Sequence, residues 1–211
     1  MIIAIDGPAG SGKGTLARRI ASTYNLAYLD TGALYRAVGV QVLDQKKDPS
    51  DTAAAIAAAN TLDIAILDSP RLRTEDAGQA ASQVAAVPEV RAALLQFQRD
   101  FAKKPPTPCI GAVLDGRDIG TVVCPDADLK LFITASVEER ARRRTLELQN
   151  KGLEAIHDHV LADMKSRDER DRDRATAPLA AADDAIVLDT SDSDADEVFH
   201  QVANIVSTKS A

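Results

Sequence analysis

Apolar and polar positions fall into short blocks that change period along the chain. Residues 2–5 form an apolar run closed by Asp6, a pattern that predicts a strand buried on both faces. Residues 14–24 predict a helix, because Leu16, Ile20 and Tyr24 recur at helical spacing. A second strand over 27–30 leads into a helix over 32–43, and an Ala-rich helix follows over 51–62. The apolar run at 64–67 reads as a strand. Helices over 74–86 and 89–103 are separated at Pro88. The stiff connector KKPPTP then leads to a buried strand over 109–114.

A strand over 129–133 feeds a helix opened by a capping box, Ser136 with Glu139 three residues on. Beyond an interruption at Gly152, a charged helix runs to about residue 170. The chain closes with a strand over 185–188, a polar turn and an amphipathic helix to about residue 206. Apolar strands alternating with helices predict an α/β fold with a mostly parallel, five-stranded sheet covered on both faces. The helical stretch 45–104 interrupts that alternation and reads as an insertion in a single domain whose core is 1–44 and 105–211.

Composition narrows the possible partners. The chain has 211 residues, 45% of them apolar, which suffices for a buried core, and a net charge of −7. That charge argues against a nucleic-acid or membrane-surface binder, since both need a basic footprint. Three Tyr, four Phe and no Trp give no platform for stacking bases. No apolar run approaches the roughly 18 residues that span a bilayer, and the opening residues do not read as a signal peptide, so a cytoplasmic location is expected. Cys109 and Cys124 match neither a redox nor a zinc spacing and read as small core residues. His157, His159 and His200 share no metal-ligand spacing.

The candidate chemistry begins at Gly7-Pro8-Ala9-Gly10-Ser11-Gly12-Lys13-Gly14-Thr15, between the first strand and the first helix. Glycines let backbone N–H groups turn inward around a phosphate, the helix N-terminus adds unsatisfied donors, and Lys13 supplies a point charge for the β- and γ-phosphates. The loop departs from the common GxxxxGK[ST] pattern: Gly14 stands where a hydroxyl is usual, and Thr15, the candidate Mg²⁺ ligand, comes one residue later. No guanine-reading [NT]KxD motif accompanies it, which argues against a GTPase. Arg167, Arg170, Arg172 and Arg174 recur within eight residues, interleaved with Asp168, Glu169, Asp171 and Asp173. Such a run suits either a solvated helix laced with i,i+4 pairs or a flap of cations that closes over a transferring phosphoryl group. The arginines at 140, 142, 143 and 144 read mostly as a solvated helix face, though one of them is a candidate to lie against an adenine. Two further clusters, 29–36 and 115–121, follow strands and each carries an arginine, which suggests a second anionic substrate beside ATP.

With these pieces assembled, the chain resembles the bacterial cytidylate (CMP) kinases, a family of nucleoside monophosphate kinases. The matching segments are GPAGSGKGT at 7–15, LDTGALYR at 29–36, AASQVAAVPEVR at 80–91, DGRDIGTVVCPDAD at 115–128 and SRDERDRDRATAPL at 166–179. The resemblance implies a P-loop kinase fold with an acceptor-binding insertion at 45–104 and an Arg-rich lid at 165–178. It implies transfer from ATP, with Mg²⁺, to CMP and dCMP by a monomer. Arg36, Arg117 and Arg174 should hold the CMP phosphate. Thr31, Arg91 and Asp118 should read the cytosine, and Ser82, Arg167 and Asp171 the ribose. Tyr35 should line the acceptor pocket, with Arg170 and Arg172 closing over the ATP phosphates. Thr31 departs from the Ser common in the family, the stretch 64–73 looks short, and the connector 103–112 looks long. A P-loop kinase for another small acceptor and a non-catalytic nucleotide switch are the alternatives.

Overall fold

The protein is described here by a computed structural model that covers residues 1–150 and 152–210. Strands β1 (Ile2–Asp6), β2 (Ala27–Asp30), β3 (Ala112–Gly116), β4 (Leu129–Thr134) and β5 (Ile186–Asp189) make one parallel sheet in the order β2-β3-β1-β4-β5. Alternation along β1 divides the core. Ile3 and Ile5 pack on one face with Leu16, Ala17 and Ile20 of α1 (Lys13–Thr23) and with Val198, Val202 and Val206 of the C-terminal helix. Ala4 faces the other side with Ala112, Leu114 and Ile119. Burying each large aliphatic side chain stabilises the fold by about 1.5–3 kcal/mol.

The register sets Asp30 opposite Asp115 and Asp6 opposite Gly116, so three carboxylates line the C-terminal edge of the sheet. Ligands bind at this edge in open parallel sheets.

A second apolar cluster joins α2 (Thr31–Asp44) to α3 (Thr52–Asn60), α4 (Glu75–Val84) and α5 (Pro88–Lys103). Its small members, Ala54, Ala55, Ala58 and Ala59, let the helices approach closely. The C-terminal third contains α6 (Val137–Asn150), α7 (His157–Asp173) and α8 (Ala195–Ser210).

Three expectations are corrected. Residues 64–67 do not form a strand: Ile64–Asp68 is a 3-10 helix, followed by a second at Pro70–Arg73. Local capping explains this, since Asp63 accepts from the Ala65 amide at 2.9 Å and Ser69 from Arg71 at 3.3 Å. The third strand starts at Ala112, not at 109. Ile110 is 71% exposed, and its amide donates to Asn25 O rather than to a strand ladder. The capping box is half formed. Glu139 N donates to Ser136 Oγ at 3.3 Å, but the Glu139 carboxylate turns to Arg142 and Arg143 instead of returning to Ser136.

Candidate active site

The phosphate loop leaves β1 at Gly7, whose φ of 149° brings it against β4; a Cβ there would stand 2.0 Å from Ile133 O. Any side chain at this position would therefore displace the loop or the strand. Gly12 caps α1 in the left-handed region with no side-chain bond to the helix amides. The first-turn donors of α1 and the positive end of its dipole thus border the loop. Lys13 is buried. Its Nζ donates to Pro8 O at 3.2 Å and lies 3.8 Å from Asp115 Oδ1. Burial, and next the Arg117 charge, lower the Lys13 amine to about 8, against the opposing pull of Asp115 and Asp30.

Lys13 opens onto a cleft of about 1400 Å³ between the sheet edge, α2, α4 and α7. Thr31, Tyr35 and Arg36 reach it from α2, Ser82 and Arg91 from α4 and α5, and Arg117 and Asp118 from the end of β3. Arg167, Asp171 and Arg174 complete the wall from α7 and its C-cap. Arg36 donates to Asp30 Oδ2 at 2.7 Å, and Arg117 Nε to Asp171 Oδ2 at 3.0 Å. Burial opposes ionisation of Asp171, but Arg117, Arg167 and Arg174 together hold its carboxyl below the usual range. Arg167, half-buried, is lowered to about 10 by desolvation and next by the Arg117 charge.

Further back, Arg91 donates to Asp118 in a buried ion pair, with its guanidinium 5.4 Å from the Tyr35 ring centroid. Thr31 is buried, and its hydroxyl donates to Asp115 O at 2.8 Å. Ser82 Oγ, Arg167 Nε and Arg174 Nε are buried and meet no hydrogen-bond partner among the described residues.

Several residues lie elsewhere. Arg170 donates to Gln79 Oε1 at 2.6 Å, Arg172 is exposed, and neither lines the cleft in this conformation. Ser11, Gly12 and Thr15 border a second cavity of about 510 Å³ on the far side of the loop, shared with Arg142, Arg143 and the turn at 190–195. Thr15 is exposed there and does not line the main cleft.

Two features escaped the sequence reading. Asp115 ends the apolar strand beside β1, where P-loop proteins carry a metal-holding carboxylate; it receives a hydrogen bond from Tyr28 Oη at 3.3 Å. The apolar run closed by an acidic residue was the available signal. Arg140 is not part of a solvated face but is 4% exposed: it donates to Ala9 O of the loop, to Ala135 O and to both oxygens of Asp168 on α7.

Among the described residues no three His, Cys, Asp or Glu side chains gather around one point. Asp115, whose Oδ1 lies 3.8 Å from Lys13 Nζ, fits a Mg²⁺ ion that keeps most of its waters and takes one or two carboxylates together with substrate phosphates, whereas both oxygens of Asp30 are engaged by Arg36 and the Ala33 amide.

A phosphate loop beside an arginine-lined cleft, at the C-terminal edge of a five-stranded parallel sheet, defines a phosphotransferase of the P-loop class. The sequence profile of the cytidylate kinase family matches residues 3–208. Over 210 residues the chain is 59% identical to the cytidylate kinase of Rhodospirillum rubrum, covering 100% of this chain and 99% of that one. It is 60% identical over 208 residues to the cytidylate kinase of Paramagnetospirillum magneticum, covering 99% and 98%. Among solved structures, an uncharacterized protein from Eubacterium ventriosum shares the fold with a TM-score of 0.57 at 15% identity, covering 98% of each chain. The chain belongs to the cytidylate kinase family.

Proposed function

We propose that the protein transfers the γ-phosphoryl group of ATP to CMP, and to dCMP, giving ADP and the corresponding diphosphate. One observation carries the choice of base. The Thr31 hydroxyl has a single proton and gives it to Asp115 O. Toward a ligand its oxygen is therefore an acceptor only, and the Asp118 carboxylate beside Arg91 is an acceptor as well. Cytosine offers an N4 amino donor where uracil offers an O4 acceptor, so this pair favours CMP over UMP.

In this reading the CMP phosphate is held by Arg36, Arg117 and Arg174, and the ribose by Ser82, Arg167 and Asp171. Arg91 orients Asp118 against the base. The attacking group is a phosphate oxygen, largely dianionic at neutral pH because its second pKa is about 6, so no general base is required. Lys13 and the loop amides hold the β- and γ-phosphates of ATP, and the adenosine lies toward the second cavity, beside Thr15 and Arg142. A bound Mg²⁺, held by Asp115, would supply charge neutralisation at the donor phosphates. The segment 45–104 serves as the acceptor-binding insertion. The segment 165–178 serves as a lid whose closure would bring Arg170 and Arg172 to the ATP phosphates and exclude water.

The reaction then rests on positioning and charge neutralisation. In this reading the protein acts as a cytoplasmic monomer, as the resemblance to the bacterial cytidylate kinases implies; among the described residues no helix is long and apolar enough to cross a membrane. Coupled measurement of ADP release with CMP, dCMP, UMP, AMP and GMP tests the assignment. CMP and dCMP should lead in kcat/KM by at least about tenfold over UMP. Equal use of UMP would remove the base-reading argument, and a preference for a purine monophosphate would overturn the acceptor.

A further inference from the structure

We propose that Asp6 is a positioning residue for the acceptor site, acting by fixing the backbone that carries Arg117 and Asp118. The inference rests on the reading above, in which those two side chains hold CMP. Asp6 ends β1 immediately before the phosphate loop and is 3% exposed. Its Oδ1 accepts from the Ile119 amide at 2.8 Å and its Oδ2 from the Gly120 amide at 2.7 Å. These are the first two N–H groups of a five-residue π turn, Ile119–Val123, whose own N-cap, Asp118, makes no side-chain cap bond. The turn's amides are thus capped from a strand more than a hundred residues away in sequence.

The other end of the turn is tied as well. Arg99 of α5 donates to Val122 O at 2.9 Å and to Val123 O at 3.1 Å. Clamped at both ends, the turn can hold an irregular backbone that local hydrogen bonding alone would not select. Such π turns recur at functional sites. Arg117 and Asp118 directly precede it, so the direction of both side chains follows from where the Ile119 and Gly120 amides are held.

Two further facts argue that more than packing is served. Burial pushes the Asp6 carboxyl up to about 7 in spite of both amide bonds, so a carboxylate here is costly compared with an apolar residue. And the approach is close: a Cβ on Gly120 would stand a tight 3.2 Å from Lys130 Cδ and in ordinary contact, 3.4 Å, with Asp6 Oδ2. A carboxylate buried at this cost, against a backbone that comes this close, fixes the geometry of one short segment.

The experiment compares Asp6→Asn with wild type and with Arg117→Ala. Asn keeps the shape but turns one acceptor into an N–H₂ facing an amide, so one clamp bond is lost. KM for CMP should rise about tenfold or more, about the loss of 1.4 kcal/mol of binding. KM for ATP should stay within about twofold, and the CMP-to-UMP ratio of kcat/KM should narrow as Asp118 shifts. Gly120→Ala leaves Asp6 in place and should move KM for CMP in the same direction by a smaller factor, which keeps the test open if Asp6→Asn folds poorly. Unchanged KM for CMP in both variants would overturn the proposal, as would an equal rise in both KM values, which would assign Asp6 to the phosphate loop. Failure of Arg117→Ala to impair CMP use would overturn the acceptor assignment instead, so the two failures are distinguishable.

Discussion

Replacing Ser82 by Ala should move stability and affinity in opposite directions. Ser82 sits in the third turn of α4, 4% exposed, with an Oγ that meets no hydrogen-bond partner among the described residues. A buried hydroxyl left unpaired costs about 1–3 kcal/mol, and Ala in a helix adds up to about 0.5 kcal/mol of propensity over Ser. The volume lost is one oxygen, so the cavity penalty is small. Taking the low end for a residue at the edge of a cleft, the free variant should gain about 1 kcal/mol. For a chain of this size that raises the melting temperature by about 2–4 °C. With CMP the sign reverses. A ribose hydroxyl bonded to Ser82 is lost in the variant, which at about 1–1.5 kcal/mol raises KM for CMP roughly 5- to 10-fold. Thermal melts with and without CMP, alongside steady-state kinetics, read both effects: the baseline should rise while the CMP-induced shift shrinks. A lower melting temperature with unchanged KM would refute the reasoning, because Ser82 would then be bonded within the protein and would not touch the ribose.

Two other outcomes are expected. Lys13 titrates at about 8 in the free protein, against 10.5 unfolded. The folded state therefore binds fewer protons between those values, and stability rises with pH across that window. Activity runs the other way. kcat/KM for ATP should fall as pH passes about 8, because the free enzyme loses the cation, while kcat should hold to higher pH because bound phosphate restores the proton; a kcat/KM profile flat to about pH 9.5 would contradict this. Thr31→Val removes the hydroxyl that donates to Asp115 O, and should cost about 1 kcal/mol of stability and lower kcat/KM for CMP about tenfold, with a smaller loss for UMP. Thr31→Ser should keep the CMP preference, and loss of selectivity in the Ser variant would show that the methyl, not the hydroxyl, discriminates.

What could be read from the residues was what depends on local spacing. The glycines and Lys13 at 7–15, the apolar alternation of β1 and the helical period of α1 each carry their own information within one window. Elements decided by distant partners were not legible. The run at 64–67 is as apolar as a strand, but four residues cannot separate a strand from a helical turn, and the caps at Asp63 and Ser69 decide it. Arg140 reads as one of four surface arginines until α7 brings Asp168 to it and the phosphate loop brings Ala9 O. Cys124 was expected to be a small core residue, and it is buried with its thiol pushed up to about 11, whereas Cys109 is only half-buried because the strand begins later than expected.

The charge pattern explains how such a cleft can stand without its ligands. Arg36, Arg117 and Arg91 are each paired with a carboxylate of the protein: Asp30, Asp171 and Asp118. These pairs hold long, entropically costly side chains near the geometry a ligand needs, so less ordering is required at the moment of binding. They do not remove the strain of crowding cations. Burial and neighbouring positive charge lower Lys13, Arg167 and Arg174 together, each of them repelled by Arg117, Arg91 or both. On the proposed reading, the CMP phosphate enters among Arg36, Arg117 and Arg174 as a dianion and relieves that repulsion. Part of its binding energy is then stored in the free protein as unfavourable charge crowding. Truncating Arg174, the one of the three that burial and its cationic neighbours destabilise, should therefore weaken CMP binding by less than the bond it removes, because it also relaxes the free state.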